Sequence, residues 1–306
     1  MSQKKTFHIK TEDGFQLSAI LFTPKEETKH SGSFILLNCA TGVPALFYAP
    51  FALWVSSRGT PILIWDYRLT GSSFPSHIDL KDEAAIIQLL QQNKDVSITK
   101  EWATDYRAVL AAAVDLSRGK DLIVVGHSLG AHIVAAGLPA HRNAVKRYVF
   151  VGGTNPHFET SPSAPALEMW KEMAYQQRDT QGYYDGRSIM AGGLFPMGVG
   201  LEWVGWTMNP DSNLYVAGAP LMREDGRQLD LYAQHLGKSL VTKIMIDPET
   251  AGYSSAMGHV NSFKKNKKDN RGWEDLEDII LKGVRGSEGK NFVVSPVVML
   301  ASRPKL

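Results

Sequence analysis

The hydrophobic positions of this chain form two alternating patterns. Predominantly apolar runs that predict strands lie at residues 34–39, 61–66, 122–125, 147–151, 214–217 and 241–246. The run at 34–39 is nearly continuous, which is typical of a strand buried on both faces. Segments in which apolar residues recur every three or four positions, as in helices that bury one side, lie at residues 46–57, 99–117, 129–139, 166–177, 228–236 and 273–282. This alternation predicts an α/β fold, with a mostly parallel sheet, right-handed crossovers and helices on both faces.

The remaining segments complete the outline of the chain. Residues 4–10 and 16–22 flank the turn Glu12-Asp13-Gly14, which predicts a hairpin at an antiparallel edge and brings the predicted sheet to eight strands. Between residues 156 and 213 the alternation gives way to Pro, Ser, Gly, Met and Trp, which indicates an insertion. We expect a core at residues 1–155 and 214–282, the insertion at 156–213, and a C-terminal tail at 283–306 whose apolar part can add an edge strand.

Composition and charge restrict the partners of the chain. Its 306 residues are 43% hydrophobic and 21% charged, with a formal net charge of +2. We therefore expect no strong electrostatic attraction to nucleic acid or to anionic lipid. The single cysteine, Cys39, excludes an intrachain disulfide and suits a reducing compartment. The apolar window at residues 191–208 contains five glycines, Pro196 and Glu202. We therefore interpret it as a buried or cleft-covering segment and not as a membrane span.

The location of the protein is expected to be cytoplasmic, because the first residues lack the apolar stretch of a secretory signal. The last residues, Arg303-Pro304-Lys305-Leu306, are similar to the peroxisomal Ser-Lys-Leu address but have proline in place of serine. A peroxisomal location is therefore the alternative. The sequence leaves the oligomeric state open.

One motif indicates chemistry: Gly126-His127-Ser128-Leu129-Gly130. This G-x-S-x-G sequence follows a predicted buried strand and precedes a predicted helix, which is the context of a nucleophile elbow. In such a turn the serine has a strained backbone and its hydroxyl projects above the carboxyl edge of the sheet, while the glycines permit close packing. The following helix directs its first N–H groups at an oxyanion. An ordinary glycine-flanked turn is the alternative interpretation.

With this motif, the chain resembles the α/β-hydrolase superfamily over roughly residues 5–282. Within it, the chain is similar to the uncharacterised α/β hydrolases near the serine aminopeptidase-like group. This likeness rests on the order of elements and on A-T-G-V-P at residues 40–44, F-Y at 47–48 and D-Y-R-L-T-G-S-S at 66–73. The resemblance implies the α/β-hydrolase fold, with the insertion at 156–213 as a cap over the sheet.

The resemblance also implies a catalytic triad with Ser128 as the nucleophile. The general base is a histidine near the C-terminus, and His259, which follows the last predicted strand of the core, has that position. The triad order Ser…Asp/Glu…His makes Asp225 the first choice for the acid. Its neighbour Glu224 and also Asp247 are alternatives, because the relatives have a strand followed by an Asp-Asp pair that this chain lacks.

The same resemblance implies an oxyanion hole formed by the backbone N–H groups of Leu129 and Thr41. Cys39 replaces the histidine that is usual in this loop, and we interpret it as a small buried residue and not as a nucleophile. The sequence has no H-E-x-x-H motif, no paired cysteines and no phosphate-binding glycine loop. We expect neither a metal nor a cofactor.

The insertion suggests the class of substrate. Its aromatic residues Phe195, Trp203 and Trp206 are predicted to line an apolar acyl or aromatic pocket, or else only to join the cap to the sheet. We expect hydrolysis of a small carboxylic ester or thioester with an apolar acyl group, through an acyl-enzyme on Ser128. Acyl transfer, cleavage of an amide or peptide by the same triad, and a non-catalytic binding protein are the alternatives.

Overall fold

The structure is a computed structural model. It describes residues 2–25, 31–138, 141, 143–152, 164–189, 192–208, 243–245, 263–264, 271–283 and 293–295. The predicted strand at residues 214–217 and the predicted helix at 228–236 lie outside the described residues. No helix among the described residues is long and apolar enough to cross a membrane.

The main sheet has six described strands in the order β1-β2-β4-β3-β5-β6. Their bounds are β1 Gln3–Lys10, β2 Gln16–Thr23, β3 Ser33–Asn38, β4 Ile62–Trp65, β5 Asp121–His127 and β6 Val145–Val151. β1 and β2 form the predicted antiparallel hairpin, and β2 pairs antiparallel with β4. The pairs β4–β3, β3–β5 and β5–β6 are parallel. The predicted mostly parallel sheet is therefore confirmed.

The central strands are apolar along their whole length because both faces of the sheet are covered. Every residue of β3 and β4 is buried, and so is every residue of β5 after Asp121. The crossovers β3–α1–β4 and β4–α3–β5 run in opposite directions along the sheet. Their right-handedness places α1, Ala49–Ser57, and α3, Ala103–Ser117, on opposite faces.

The other helices of the sheet region differ from the prediction in two places. A helix that the sequence analysis did not predict, α2 at Glu83–Gln92, begins where the Asp82 carboxylate accepts a hydrogen bond of 3.1 Å from the N–H of Ala85. The helix predicted at residues 129–139 is shorter: α4 spans Leu129–His132, and a 3₁₀ turn follows at Ile133–Ala136. Gly137 is extended, and Pro139 disfavours a helical conformation in the residue before it.

The predicted insertion contains regular structure. α5 spans Ala164–Thr180, a short antiparallel hairpin joins β7, Tyr183–Asp185, to β8, Leu194–Pro196, and α6 spans Met197–Met208. Within the apolar window, residues 194–208 thus form a short strand followed by a twelve-residue helix.

The C-terminal part of the chain adds one helix and a second small sheet. α7 spans Arg271–Lys282. β9, Lys243–Met245, lies within the strand predicted at 241–246, and it pairs antiparallel with β10, Val293–Ser295, in the tail. Among the described strands, these two form a sheet separate from the main one. Of the eight strands predicted for one sheet, six, β1 to β6, lie in the main sheet. The strand predicted at 214–217 lies outside the described residues, and β9 pairs with β10 instead.

Candidate active site

Ser128 lies at the carboxyl end of β5, in the turn that leads directly into α4. Its backbone has φ 53° and ψ −118°, and such a positive φ is unfavourable for a residue with a side chain. The turn is held by hydrogen bonds from the N–H of Ser128 to the carbonyl of Val151, 3.0 Å, and from the N–H of Ala131 to the carbonyl of Ser128, 2.9 Å. These two bonds stabilise the strained conformation.

The two glycines of the motif are required by close backbone packing. A Cβ atom on Gly126 would overlap the carbonyl oxygen of Gly130, and one on Gly130 would overlap the carbonyl oxygen of Asn38 at the end of β3. The Asn38 side chain fixes this contact, because its Nδ2 donates a 3.2 Å hydrogen bond to the carbonyl of Gly130 and its Oδ1 accepts one from the Trp65 indole. The structure thus has the backbone geometry expected of a nucleophile elbow.

The loop that follows β3 lies beside this turn. Asn38 pairs in register with Gly126, so residues 39–42 continue from β3 next to the residues that continue from β5. Leu129 is the first residue of α4, and the N–H of the first residue of a helix has no partner within the helix. The structure therefore brings the loop of Thr41 and the start of α4 to the same edge of the sheet. Their role as an oxyanion hole stays a prediction.

Tyr48 joins the two sides of this region. Its hydroxyl oxygen accepts a 2.9 Å hydrogen bond from the N–H of Ala40, and the hydroxyl shares a 2.7 Å hydrogen bond with His127 Nδ1. Tyr48 and His127 are both fully buried. One side chain therefore fixes the residue before Thr41 to the residue before Ser128. The F-Y pair at residues 47–48 was the sequence signal for it, although the sequence analysis assigned it no role.

Asp66 holds the other end of the same loop. One carboxylate oxygen accepts a 2.6 Å hydrogen bond from the N–H of Ala45, and the other accepts one of 2.9 Å from the N–H of Ser72. Burial raises the pKa of Asp66 to about 6, against the lowering effect of these two bonds. The carboxylate thus holds the loop between β3 and α1 against the turn that follows β4.

Arg68, in the same motif, connects three elements. Its guanidinium bonds the carboxylates of Asp105 in α3, at 2.8 Å through Nε, and of Asp13 in the β1–β2 turn, at 2.5 Å through Nη1. This hydrogen bond and ion pair hold the pKa of Asp13 at about 2. The D-Y-R segment that marked the resemblance therefore has a structural role in these contacts.

An aromatic cluster lies beneath the turn on the side of α1. Phe263 is fully buried, and its ring centroid lies 5.1 Å from that of Tyr48, 5.3 Å from that of Phe51 and 5.0 Å from that of His127. The ring of Phe51 also packs on Trp273 of α7 at 5.7 Å. Through Phe263 the C-terminal part of the chain reaches the residue that precedes Ser128.

The structure does not describe the residues predicted for the rest of the triad. His259, Asp225, Glu224 and Asp247 lie outside the described residues, so their roles stay predictions. Cys39 is fully buried, its thiol donates to the carbonyl of Trp65, and burial raises the pKa of that thiol well above its usual value. A protonated, buried thiol is a poor nucleophile, in agreement with the interpretation from sequence.

The three aromatic residues predicted to bind substrate have different surroundings. Phe195 is buried and stacks on Tyr184 at 4.8 Å, and Trp203 packs on Trp170 at 5.5 Å. Trp206 stacks on His132 of α4, with ring centroids 5.8 Å apart. Of the three, Trp206 is therefore the one that the described contacts bring to the helix that follows Ser128. No role for His132 was predicted from the sequence.

The described residues contain no group of three or more side chains that could hold a metal ion.

The chain belongs to the α/β-hydrolase family. The model of that family, described as the alpha/beta hydrolase family, matches residues 34–257, which is most of the chain. Members of this family are typically hydrolytic enzymes. No curated protein matches the sequence.

Solved structures with this fold include three that can be compared with the chain. An α/β serine hydrolase without a lid from Xanthomonas campestris is 13% identical over 49% of this chain and 61% of that one, with a TM-score of 0.34. A thermostable carboxyl esterase from Bacillus coagulans, in complex with glycerol, is 14% identical over 61% and 54%, with a TM-score of 0.40. An α/β hydrolase from Novosphingobium aromaticivorans is 15% identical over 76% and 79%, with a TM-score of 0.36. The chain spans less than two thirds of the first two proteins.

Proposed function

We propose that this protein is a serine hydrolase that cleaves a carboxylic ester or thioester with an apolar acyl group. The observation that carries the proposal is the strained backbone of Ser128, a non-glycine residue with φ 53° between a buried central strand and the start of a helix. Backbone strain of this kind persists only where the surrounding structure enforces it, and it is concentrated at functional sites.

The proposed mechanism is acyl transfer in two steps. Ser128 Oγ attacks the carbonyl carbon while His259 takes the hydroxyl proton, and the N–H groups of Leu129 and Thr41 stabilise the oxyanion. The C–O or C–S bond then breaks, and the leaving group receives the proton from His259. Water, deprotonated by His259, attacks the acyl-enzyme and releases the acid. Asp225, or else Glu224 or Asp247, orients the imidazole.

Phe263 supports the choice of His259. Four residues of fully extended chain span at most about 14 Å, and Phe263 is packed on His127, which is adjacent in sequence to Ser128. A histidine four positions before Phe263 is thus tied by a short chain to the neighbourhood of the nucleophile. The single, buried thiol supports a reducing, cytoplasmic compartment as part of the proposal.

The direct test is labelling of the purified protein with a fluorophosphonate probe, followed by tryptic mass mapping. We expect the label on Ser128, and none on the Ser128→Ala variant. Ser73→Ala is the matched control, because Ser73 is also a buried serine in a turn after a strand, but its hydroxyl donates to the carbonyl of Asp66. Absence of label on folded wild-type protein would exclude a serine nucleophile and favour the binding-protein alternative.

The base and the acid are tested separately by hydrolysis of p-nitrophenyl esters. We expect His259→Gln to abolish labelling and turnover, while His77→Gln, at an exposed histidine, retains both. The acid is identified by the one variant among Asp225→Asn, Glu224→Gln and Asp247→Asn whose kcat falls by roughly 10⁴-fold. Product analysis with an added alcohol separates hydrolysis from acyl transfer, and aminoacyl amides test for peptidase activity.

A further inference from the structure

A backbone hydrogen bond joins the insertion to the loop that follows β3. The N–H of Gly193, the residue before β8, donates a 2.8 Å bond to the carbonyl of Gly42. The neighbouring Gly192 has φ 89°, and a Cβ atom on it would overlap the same carbonyl. Gly42 directly follows Thr41, whose N–H is predicted to bind the oxyanion. The insertion therefore contacts this loop at the residue next to the predicted donor.

The β7–β8 hairpin that carries Gly193 is itself firmly held. The carbonyl of Gly193 accepts a 3.1 Å bond from the N–H of Gly186, which extends the pairing of the two strands. Gln177 of α5 binds both backbone groups of Asp185: its Oε1 accepts from the N–H at 2.7 Å and its Nε2 donates to the carbonyl at 3.4 Å. Phe195 stacks on a tyrosine of β7. The donor that faces Gly42 is thus part of an ordered element.

The core holds the two ends of the loop but not its middle. At one end the N–H of Ala40 donates to the Tyr48 hydroxyl, and at the other the N–H of Ala45 donates to the Asp66 carboxylate. Among the hydrogen bonds between described residues, only the bond from the insertion reaches residues 41–43 from outside the loop. The middle of the loop therefore depends on the insertion for its polar contact with the rest of the protein.

The middle of the loop is a β-turn whose shape is not fixed by its own closing bond. That bond runs from the N–H of Val43 to the carbonyl of Ala40, 3.2 Å. Gly42 has φ 64°, and Thr41 has a negative φ, as in a type II turn. Type I turns have the same closing bond but a negative φ at the third residue, and glycine accepts either sign. The bond from the insertion to the Gly42 carbonyl thus selects the turn that is observed.

We propose that the β7–β8 hairpin holds this turn in the conformation in which the Thr41 N–H binds the oxyanion, with Gly193 as a positioning residue. The inference rests on the proposed function, because it concerns the oxyanion hole of the Ser128 site. An oxyanion donor is effective when it is aligned before the charge develops, and small displacements of positioned groups lower rates strongly. Loss of the contact should therefore lower kcat more than it raises KM.

The test compares two glycine variants of the insertion in the hydrolysis of p-nitrophenyl butyrate. Gly192→Ala places a Cβ against the Gly42 carbonyl, and we expect kcat to fall about 10- to 100-fold with KM changed by less than about threefold. Gly182→Ala is the matched control. Gly182 also has a positive φ, 74°, but a Cβ on it would meet only the side chain of Gln91, at 3.8 Å. This variant should lose stability from backbone strain and retain the wild-type kcat.

Amide hydrogen exchange, measured by mass spectrometry, is a readout that needs no catalysis. In the wild type, the Gly193 amide should exchange as slowly as the paired amides of β7 and β8, because it is bonded to the Gly42 carbonyl. Gly192→Ala should accelerate exchange at residues 40–45, whereas Gly182→Ala should leave exchange there unchanged. A merely structural role of the hairpin predicts lower stability in both variants with equal kcat.

The inference is wrong if Gly192→Ala keeps the wild-type kcat while the wild type hydrolyses the ester; the proposed function then stands. It is also wrong if the wild-type Gly193 amide exchanges as fast as an exposed one, a result that does not depend on whether Gly192→Ala folds. If the wild type hydrolyses no ester and takes no fluorophosphonate label, the proposed function and the role in catalysis fail together. The exchange pattern then shows whether the contact itself exists.

Discussion

β4 and β5 flank β3 in the sheet, run parallel to it and end at the same edge. The turns that follow them share their backbone strain but differ in the partners of their polar side chains. Each turn contains a non-glycine residue in the left-handed region, Leu69 with φ 60° after β4 and Ser128 with φ 53° after β5. Each also contains a glycine whose place no larger residue can take without overlap, Gly71 and Gly130. Local strain is therefore common to both.

The difference lies in the partners of the polar side chains. After β4, the polar side chains bind the protein itself: Asp66 accepts from two backbone N–H groups, Arg68 bonds Asp105, and the Ser73 hydroxyl donates to the carbonyl of Asp66. After β5, Ser128 leads directly into α4, and the N–H of Leu129, the first residue of that helix, has no partner within the helix. Strain alone thus does not identify a site, because both turns contain a strained residue and only the turn after β5 leads directly into a helix.

The largest expected effect is a difference in activity between the variants of the two turn serines, Ser128 and Ser73. Ser128→Ala should lower kcat/KM for a preferred p-nitrophenyl ester by at least about 10³-fold, because the variant has no nucleophile. Ser73→Ala should retain activity within about threefold and lower the unfolding free energy by about 1–2 kcal/mol, since it leaves buried partners unsatisfied. Steady-state kinetics and urea unfolding on both variants measure this contrast. Equal loss of activity in the two would contradict it.

The two glycines provide the next contrast. Gly130→Ala places a Cβ against the backbone of Asn38, which cannot move without β3, so we expect a loss of about 3 kcal/mol in unfolding free energy and slower fluorophosphonate labelling. Gly71→Ala places its Cβ against the Asp66 carboxylate and at φ 53°. It should cost about as much stability, but labelling of the remaining folded protein should be unchanged. Urea denaturation and the labelling rate separate the two outcomes.

Asp66 makes the turn after β4 sensitive to pH. Its pKa is about 6 in the folded protein, above the 3.8 that is usual for an aspartate, because burial disfavours the charged form. The folded state therefore binds this proton more tightly than the unfolded state does, and stability falls as pH rises from about 4 to about 6. The decrease from this group is on the order of 2–3 kcal/mol.

Asp66→Asn should remove that part of the pH dependence. We expect the difference in unfolding free energy between wild type and Asp66→Asn to change between pH 4.5 and pH 7.5, as measured by urea unfolding at both values. Asp79→Asn, at an exposed position, controls for the loss of one carboxyl group. Parallel curves for wild type and Asp66→Asn would exclude titration of Asp66 in this range.

The smallest expected effect concerns Tyr48, which connects the β3 loop to the elbow. Tyr48→Phe should lower kcat about tenfold, or about 1.4 kcal/mol, with little change in KM, because the hydroxyl positions the residues before Thr41 and Ser128. Tyr67→Phe is the matched control: that hydroxyl donates a longer, 3.3 Å bond to the carbonyl of Cys39, and its ring packs on Trp65 and Trp102. A purely structural role for Tyr48 predicts lower stability with unchanged kcat.

Much of the fold follows from local sequence. The strands from β1 to β6 and the elbow turn are readable because an apolar run, a helical repeat or a glycine pattern is set by neighbouring residues. α2 was missed although Asp82 followed by apolar residues at 86, 87, 89 and 90 is a helix signal. The membership in the α/β-hydrolase family also follows from sequence, because the order of strands and helices is fixed by the chain.

The sequence by itself determined the order of elements and the place of Ser128, since both depend on periodicities of a few residues. Only the tertiary structure decided which distant groups meet: Arg68 with Asp13, Glu202 with Ile98, and Tyr48 with His127, separated by 55, 104 and 79 positions. It also decided that β9 pairs with β10 in the tail. Such contacts depend on how buried surfaces pack and on which partners the buried polar groups bind. A local sequence pattern does not predict either.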